Sequence, residues 1–223
     1  MAVQIIENEV AESGRERESW VEELRQFQGM PGVPYTLVLD ARALNLTREE
    51  FFQFCHDNRD LRIELSAQGD LIIMSPTTPE SGRRNAKLTY QLGAWTIQDS
   101  TGECFDSSTM FTLPNGAEVS PDASWIRKER YEALTPEERD SFAPICPEFV
   151  VELRSKTDQL SALQKKLRQY IEQGARLGWL IDPSTKRVYV YRPQQEMECL
   201  EQPEIVAGDP VLPGFVLRLS EIW

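Results

Sequence analysis

The chain contains 223 residues, of which 40% are hydrophobic and 27% charged, and its formal net charge is −12. This length is enough for one sizeable hydrophobic core, so we expect a single domain with a terminal addition. No apolar run approaches the roughly 20 residues of a transmembrane helix, and the first residues lack the apolar block of a secretory signal. We therefore expect a cytoplasmic protein that does not enter a membrane.

The composition also limits the chemistry. Four cysteines lie far apart without a C-x-x-C motif and the only histidine is His56, which argues against a zinc site and against a disulfide framework. The negative net charge argues against nucleic acid, because phosphate binding depends on lysine and arginine. Residues 154–187, however, contain eight basic and three acidic side chains, a local balance of +5. This basic segment is either a solvated face or a surface that contacts phosphates.

Helix and strand patterns alternate in the first part of the chain. The stretch "RERESWVEELRQFQ" predicts a polar helix at residues 15–28, which we assign to a helical and strand extension of residues 1–44. In "NLTREEFFQFCHDN", Thr47 and Glu50 form a capping-box pattern that predicts the start of a second helix. "LRIELSAQGDLIIMS" predicts two strands joined by a turn, and a further helix is expected from about Pro79 to Gln98.

Short strands dominate the rest of the chain. They are expected between Glu103 and Ile126, the last of them in "AEVSPDASWI", and "RKERYEALTPEERDSFAP" predicts a charged helix or insertion. "EFVVELR" is the strongest strand pattern, and the next helix is expected to run from a cap at Asp158 to a stop at Gly174. "LGWLIDP" and "RVYVYRP" predict two more strands. The pattern indicates one mixed α/β domain over residues 45–223.

Two carboxylates occur within segments that otherwise have the pattern of buried strands. Asp122 lies in "VSPDASWI" and Glu152 in "EFVVELR". Burial of an unpaired carboxylate costs several kcal/mol, so each acid needs a cationic partner or a metal. Glu152 shares a strand face with Val150 and Arg154, so we expect it to be embedded. If the two strands are neighbours, both acids can bind one Mg²⁺ or Mn²⁺; the structural alternative is a pairing with Arg154 or Arg83.

The same segments resemble a family of nucleases. "SPD" and "EFVVEL", about 30 residues apart, are similar to the Pro-Asp and Glu-x-Lys elements of the PD-(D/E)XK nuclease superfamily. Together with "LIIMSPTTPESGRRN", "RSKTDQLSALQKKLRQYIEQGARLGWLIDP" and "PGFVLRLSEIW", they resemble the Uma-type restriction endonucleases over about residues 45–223. The resemblance implies a restriction-endonuclease-like mixed β-sheet flanked by helices. It also implies a metal-dependent DNA endonuclease that hydrolyses phosphodiester bonds.

The chain departs from the Glu-x-Lys pattern at Arg154, where the pattern has lysine. Arginine can hold a phosphate, but its pKa above about 12 prevents it from accepting a proton. The resemblance implies a catalytic lysine on the following helix through a Lys-x-x-x-Tyr pattern, which Lys166 and Tyr170 fit. Lys165 and Lys156 are the alternatives.

A fourth acid is expected from the helix that precedes the nuclease strands. Glu80 stands at the start of that helix, and Glu64 in "RIEL" is the second candidate. An acid in the first helical turn is also common because it offsets the helix dipole. The basic segment and three side chains in the first two turns of the same helix are expected to contact phosphates: Arg83, Arg84 and Lys87.

Two functions of different classes follow from these patterns. The first is a Mg²⁺-dependent endonuclease with DNA as its partner, in which Asp122 and Glu152 bind the metal and Lys166 and Glu80 complete the catalytic group. The sequence leaves the oligomeric state open; a homodimer is the candidate assembly, since nucleases of this kind that cut both strands often pair and symmetric dimers are the commonest assembly. The alternative is a catalytically inactive nuclease-like fold that serves as a binding or assembly module, which the absence of lysine at position 154 favours.

Overall fold

The computed structural model describes residues 36–223. The predicted helix at residues 15–28 and most of the predicted extension lie outside the described residues. The described chain is a mixed α/β structure with three β-sheets and flanking helices, which confirms the predicted fold class. Within residues 36–223, no helix has the length and apolar character needed to cross a membrane.

The described elements are numbered separately for strands and α-helices. The strands are β1 (Thr36–Asp40), β2 (Arg62–Leu65), β3 (Asp70–Met74), β4 (Gly102–Asp106), β5 (Phe111–Thr112), β6 (Glu118–Val119), β7 (Ala123–Arg127), β8 (Phe149–Leu153), β9 (Leu177–Asp182), β10 (Arg187–Tyr191), β11 (Glu198–Glu201), β12 (Ile205–Ala207) and β13 (Val216–Arg218). The helices are α1 (Arg48–Asp57), α2 (Pro79–Asp99), α3 (Lys128–Glu132), α4 (Pro136–Arg139) and α5 (Leu160–Glu172). Short 3₁₀ turns occupy Arg42–Leu44 and Leu219–Glu221.

The central sheet has six strands in the order β11-β10-β9-β8-β7-β4. Strands β8 and β9 are parallel, and the other neighbouring pairs in this sheet are antiparallel. Ala123 of β7 lies opposite Val151 of β8. The strands that carry or follow Asp122 and Glu152 are therefore neighbours, as the metal hypothesis requires.

The two faces of the central sheet contribute to separate hydrophobic cores, because side chains alternate along each strand. On one face, Val151 belongs to a core that includes Leu92 of α2. On the other face, Val150 packs in a core that includes Leu167 of α5. Glu152 shares this second face with Val150, as predicted, and so projects toward α5.

A second sheet of five strands, in the order β1-β3-β2-β6-β5, brings β2 close to the segment before β7. Leu65 of β2 pairs with Glu118 of β6, and Phe51 of α1 packs in the core of this sheet. Strand β1 pairs with β3 over residues 36–40. These residues therefore belong to the same sheet as strands that follow residue 45, across the predicted domain boundary at residue 44.

Helix α1 confirms a prediction made from local sequence. The Thr47 hydroxyl accepts a hydrogen bond from the Glu50 backbone N–H, and the Glu50 carboxylate accepts one from the Thr47 N–H, which together form the predicted capping box. This reciprocal pair satisfies two of the N–H groups that a helix start leaves without an intrahelical partner.

Helix α5 differs from the prediction at its start. The predicted cap at Asp158 is wrong: the helix begins at Leu160, and the Asp158 carboxylate accepts a hydrogen bond of 2.7 Å from the Ser155 N–H in the turn after β8. The predicted stop is confirmed, since Gly174 follows the helix with a φ of 119°, a conformation that favours glycine.

The stretch "AEVSPDASWI" forms two strands rather than one. Residues 120–122 separate β6 from β7, and Pro121 within this segment has no N–H to contribute to a β-ladder. The charged segment that follows β7 forms the two short helices α3 and α4. The break before β7 places Asp122 outside the regular ladder, at the end of the central sheet where β8 finishes.

Gly102, the first residue of the edge strand β4, provides a test of how closely β4 packs against Trp125 and Ile126 of β7. A Cβ at this position would overlap the Trp125 ring and the Ile126 carbonyl oxygen. We expect Gly102→Ala to lower the free energy of unfolding by about 1 to 3 kcal/mol, because a backbone oxygen cannot move aside easily. Gly93→Ala, in the middle of α2, would make only an ordinary contact with Cys104 and should raise that free energy by up to about 1 kcal/mol. Urea unfolding of both variants measures the difference; equal effects would contradict this account of the sheet.

Candidate active site

Four segments that are distant in sequence bring charged side chains together near the end of β8. Asp122 immediately precedes β7, Glu152 lies in β8, Glu64 lies in β2 and Lys166 lies in α5. We call these four residues the acid–lysine cluster. The structure thus brings together three of the four predicted catalytic residues, together with the second candidate for the additional acid.

Lys166 lies at the centre of the cluster. Its Nζ is 2.9 Å from an oxygen of Glu64 and 2.9 Å from an oxygen of Glu152, and it donates to the Ser120 carbonyl oxygen at 3.3 Å. Burial opposes its charge, but the two carboxylates dominate and raise the pKa of Lys166 above its ordinary value. Lys166 is therefore an ammonium at neutral pH, suited to stabilise negative charge and unsuited to accept a proton.

Glu152 is buried between Lys166 and Tyr170. Its Oε1 receives a hydrogen bond of 3.2 Å from the Tyr170 hydroxyl in addition to the contact with Lys166. Burial raises the pKa of Glu152 to about 7; Lys166 opposes this rise, whereas Asp122 and Glu64 add to it. Burial and the neighbouring carboxylate of Glu152 raise the pKa of Tyr170, which remains a neutral hydroxyl donor. The charged form of Glu152 therefore depends on nearby positive charge.

Asp122 is held in place by two donors. One oxygen accepts the Leu153 backbone N–H at 2.8 Å and the other accepts the side-chain amide of Asn85 at 3.2 Å. Burial raises the pKa of Asp122, and the positive charge of Arg62 opposes this effect. Because Leu153 follows Glu152 directly, its N–H fixes the position of one acid relative to the other.

The donor set of the cluster fits a divalent cation held by two carboxylates. Within residues 36–223, no group of three or more His, Cys, Asp or Glu side chains is arranged to hold a metal ion. Asp122 and Glu152 nevertheless provide two embedded acids, and the contacts of Glu152 with Lys166 and Tyr170 both use Oε1. Mg²⁺ is commonly bound by one or two carboxylates, with water and substrate phosphate as the remaining ligands.

Arg154, at the position where the Glu-x-Lys pattern has lysine, does not join the cluster. Its guanidinium lies 2.7 Å from the carboxylate of Asp182 and donates to the Asp158 carbonyl oxygen. Asp182 is completely buried at the end of β9, beside β8. The pairing of Glu152 with Arg154 that was considered from sequence is therefore not observed, because Asp182 binds the guanidinium instead. The alternative lysines, Lys156 and Lys165, are both exposed.

Glu80, the predicted fourth acid, is 51% exposed in the first turn of α2. Its carboxylate pairs with Arg83 at 2.6 Å and with Arg84 at 3.0 Å, the positions three and four residues later on the helix. Among the described residues, no hydrogen bond or ion pair joins Glu80 to the acid–lysine cluster. Glu64 is the additional acid that the structure places beside Lys166.

The basic side chains at the start of α2 contact the carboxy-terminal turn. Lys87 lies 2.9 Å from the carboxylate of Glu221, and Arg84 donates to the Ile222 carbonyl oxygen at 2.9 Å. Arg83 donates to the Glu221 carbonyl oxygen as well as to Glu80. The three side chains that were predicted to contact phosphates therefore already have partners within the chain.

Sequence reasoning missed two residues at the site, Asn85 and Arg62. Asn85 lies within the quoted stretch "SGRRN", but its contact with Asp122 depends on how α2 packs on the central sheet. Arg62 lies two residues before Glu64 in "RIEL", so strand periodicity places both side chains on one face. That spacing was a usable signal for Arg62.

The central mixed sheet carries one acid in β8, a second acid just before β7 and a lysine on the helix between β8 and β9. A solved structure described as a putative nuclease belonging to DUF820 from Anabaena variabilis ATCC 29413 matches with a TM-score of 0.62 and 21% identity, covering 79% of this chain and 97% of that chain. At this identity the match shows a shared fold. The model of the Uma2 family, described as "Putative restriction endonuclease", matches residues 48–220, so the chain belongs to that family. No curated protein matches the chain significantly.

Lys166 should stabilise the metal-free protein. Lys166→Met leaves the carboxylates of Glu64 and Glu152 buried without their shared cation, so we expect the free energy of unfolding to fall by about 3 to 5 kcal/mol near pH 8. The loss should diminish near pH 5, because the pKa of Glu152 is raised to about 7, so at pH 5 this carboxyl is protonated in the folded protein and no longer needs the cation. Urea unfolding at both pH values measures this. Lys165→Met, one residue away and exposed, is the control; a similar loss there would contradict a specific role for Lys166.

Proposed function

We propose that this protein is a Mg²⁺-dependent endonuclease that hydrolyses phosphodiester bonds in DNA. The observation that carries the proposal is the arrangement of Asp122 and Glu152, two embedded acids fixed by one backbone N–H and accompanied by the Lys166 ammonium. Perturbed carboxyl groups of this kind cluster at functional sites. Membership of the Uma2 family supports nuclease function in general.

Asp122 and Glu152 would hold the metal ion. A bound Mg²⁺ or Mn²⁺ supplies Lewis-acid polarisation of a phosphate oxygen and lowers the pKa of a coordinated water. Asn85 and the Leu153 N–H keep the Asp122 carboxylate in position. Tyr170 does the same for Glu152 through its hydroxyl.

Lys166 supplies the positive charge beside the reacting phosphate. Its raised pKa keeps it protonated, so its role is to donate hydrogen bonds, orient the attacking water and stabilise charge on the phosphorane. Glu64 also contacts the ammonium, at 2.9 Å, and so helps to position it. Arg154, bound to Asp182, contributes no group to the reacting atoms. Lys166 thus takes the place of the lysine that the Glu-x-Lys pattern has at position 154.

The alternative function is a nuclease-like fold that binds a partner without hydrolysis. One observation favours it: within the described residues, no group of three or more His, Cys, Asp or Glu side chains is arranged to hold a metal ion. On this alternative, the Lys166 ammonium is only the cation that neutralises buried acids. The two functions differ in whether Asp122 and Glu152 bind a metal, which is directly measurable. DNA as the partner, a homodimer and a cytoplasmic location remain predictions.

Asp122→Asn and Glu152→Gln should each abolish Mg²⁺-dependent or Mn²⁺-dependent DNA cleavage, because the amide removes a charged metal ligand. Mn²⁺ titration by calorimetry should show binding to the unmodified protein and at least a tenfold loss in each variant. Mg²⁺ should also raise the melting temperature of the unmodified protein only. Glu80→Gln tests the other predicted acid and should leave metal affinity nearly unchanged. Undiminished Mn²⁺ binding in both Asp122→Asn and Glu152→Gln would favour the binding-module alternative.

Lys166→Met should reduce the cleavage rate by about 10²-fold or more while Mn²⁺ affinity is retained, because the ammonium stabilises charge without coordinating the ion. Lys165→Met should change the rate little, since that side chain is exposed on the same helix. Rates are compared at saturating Mn²⁺ and corrected for the folded fraction from circular dichroism, which separates chemistry from stability. Equal rate losses at the two positions would remove Lys166 from the mechanism.

A further inference from the structure

Arg62 lies at the rim of the acid–lysine cluster and has no role in the mechanism described so far. It is the first residue of β2 and shares a strand face with Glu64 two residues later. Glu64 accepts hydrogen bonds from Lys166 and from the Ser120 N–H. Arg62 extends toward the same segment from the other end of the strand, and its side chain is 37% exposed. Strand β2 therefore delivers an acid into the cluster and a guanidinium to its edge.

The guanidinium of Arg62 uses little of its hydrogen-bonding capacity. Its Nη2 lies 3.4 Å from the Ser120 carbonyl oxygen and 3.7 Å from an oxygen of Asp122, and its buried Nε has no hydrogen-bond partner. An arginine has five N–H donors, and a buried donor without a partner is unusual in a folded protein. By contrast, Arg154 and Arg83 lie 2.7 Å and 2.6 Å from their carboxylate partners.

A structural ion pair with Asp122 does not account for Arg62. The carboxylate of Asp122 already accepts the Leu153 N–H at 2.8 Å and the Asn85 amide at 3.2 Å, both closer than the guanidinium. A guanidinium fork matches two phosphate oxygens better than any other side chain. A phosphate held near Asp122 and Glu152 would lie within reach of the Arg62 guanidinium, which is partly exposed and has few hydrogen-bond partners.

We propose that Arg62 binds a non-bridging oxygen of a DNA phosphate at the acid–lysine cluster and orients that phosphate over Asp122. The inference rests on the proposed nuclease function, and it assigns the nearest phosphate contact to β2. The basic side chains at the start of α2 do not serve in its place, because they pair with Glu80 and with the carboxy-terminal turn. Arg62 binds substrate, and Lys166 stabilises the charge that develops during hydrolysis.

Arg62→Met and Arg62→Lys test the assignment with a duplex of about 20 base pairs in Ca²⁺, which is used to allow binding without cleavage. We expect Arg62→Met to raise the Kd about tenfold and to reduce the slope of log affinity against log salt by about 0.9, the value for one phosphate contact. Arg62→Lys should restore the slope and only part of the affinity, because lysine keeps the charge but lacks the fork.

Arg127→Met is the matched control. Arg127 is another exposed arginine at a strand end, and it lies about 16 Å from Asp122 along β7, at roughly 3.3 Å per residue. The Arg127→Met substitution should leave the Kd for DNA and the slope of log affinity against log salt unchanged. Mn²⁺ affinity of Arg62→Met should equal that of the unmodified protein; a loss of Mn²⁺ affinity alongside DNA affinity would show that Arg62 only supports Asp122 and would overturn the assignment.

Failure of the inference is distinguishable from failure of the proposed function. If the unmodified protein cleaves DNA but Arg62→Met binds it as well as Arg127→Met does, the Arg62 assignment is wrong and the nuclease function stands. If the unmodified protein neither binds duplex DNA nor cleaves it with Mg²⁺ or Mn²⁺, both are wrong. Should Arg62→Met fail to fold by circular dichroism, Arg62→Lys decides through its Kd, which must rise severalfold for the assignment to hold.

Discussion

The contact of the Lys166 ammonium with two buried carboxylates joins the two main sheets of the molecule. Glu64 belongs to the five-stranded sheet and Glu152 to the central sheet, and Lys166 is within 2.9 Å of both. Neither carboxylate would be tolerated in its position as an unpaired charge. The cluster is therefore complete only when the five-stranded sheet, the central sheet and α5 are docked together, so the site and the tertiary structure form as one unit.

The positions of Arg154 and Lys166 show how a site can keep a cation when the usual position changes. Arg154 directly follows β8, and its guanidinium binds Asp182 at the end of the neighbouring strand β9. The two strands are parallel, so their ends lie side by side. The guanidinium thereby stabilises that edge of the sheet. The space beside Glu152 is filled from above by α5, whose Tyr170 and Lys166 both contact the same carboxylate oxygen. Arg154 therefore has a structural role at the sheet edge, and Lys166 is the cation at the site.

Much of the fold and part of the site could be predicted from sequence, because both depend on local periodicity. Alternation in "EFVVELR" was enough to place Glu152 on the same face as Val150, and the Lys-x-x-x-Tyr pattern was enough to name Lys166, one helical turn before Tyr170, as a candidate. Competition among neighbouring polar groups was harder to predict. Asp158 bonds to the Ser155 N–H in the preceding turn, so the expected helix cap is not formed.

The rest of the site depends on contacts between residues far apart in the chain. Glu80 looked suitable because it begins a helix, yet two arginines of its own helix bind it. Glu64 reaches Lys166 across 102 positions of sequence, a contact that follows from sheet docking and leaves no local signal. Asn85 was missed for the same reason, whereas Arg62 was missed although its spacing from Glu64 on one strand was a usable signal.

The parallel pairing of β8 and β9 requires a crossover between them, and α5 is the helix that makes it. The turn of residues 154–159 between β8 and α5 therefore determines how the helix is rotated over the sheet. Each added or deleted residue in that turn would rotate the helical positions by about 100° relative to the strand. Deletion of one residue would put Leu167 in the place of Lys166 and leave the two acids without their cation. Insertion of one residue would put Lys165 beside the acids, but it would also put Lys166 in the buried place of Leu167. The length of this turn is thus constrained by charge as well as by chain geometry.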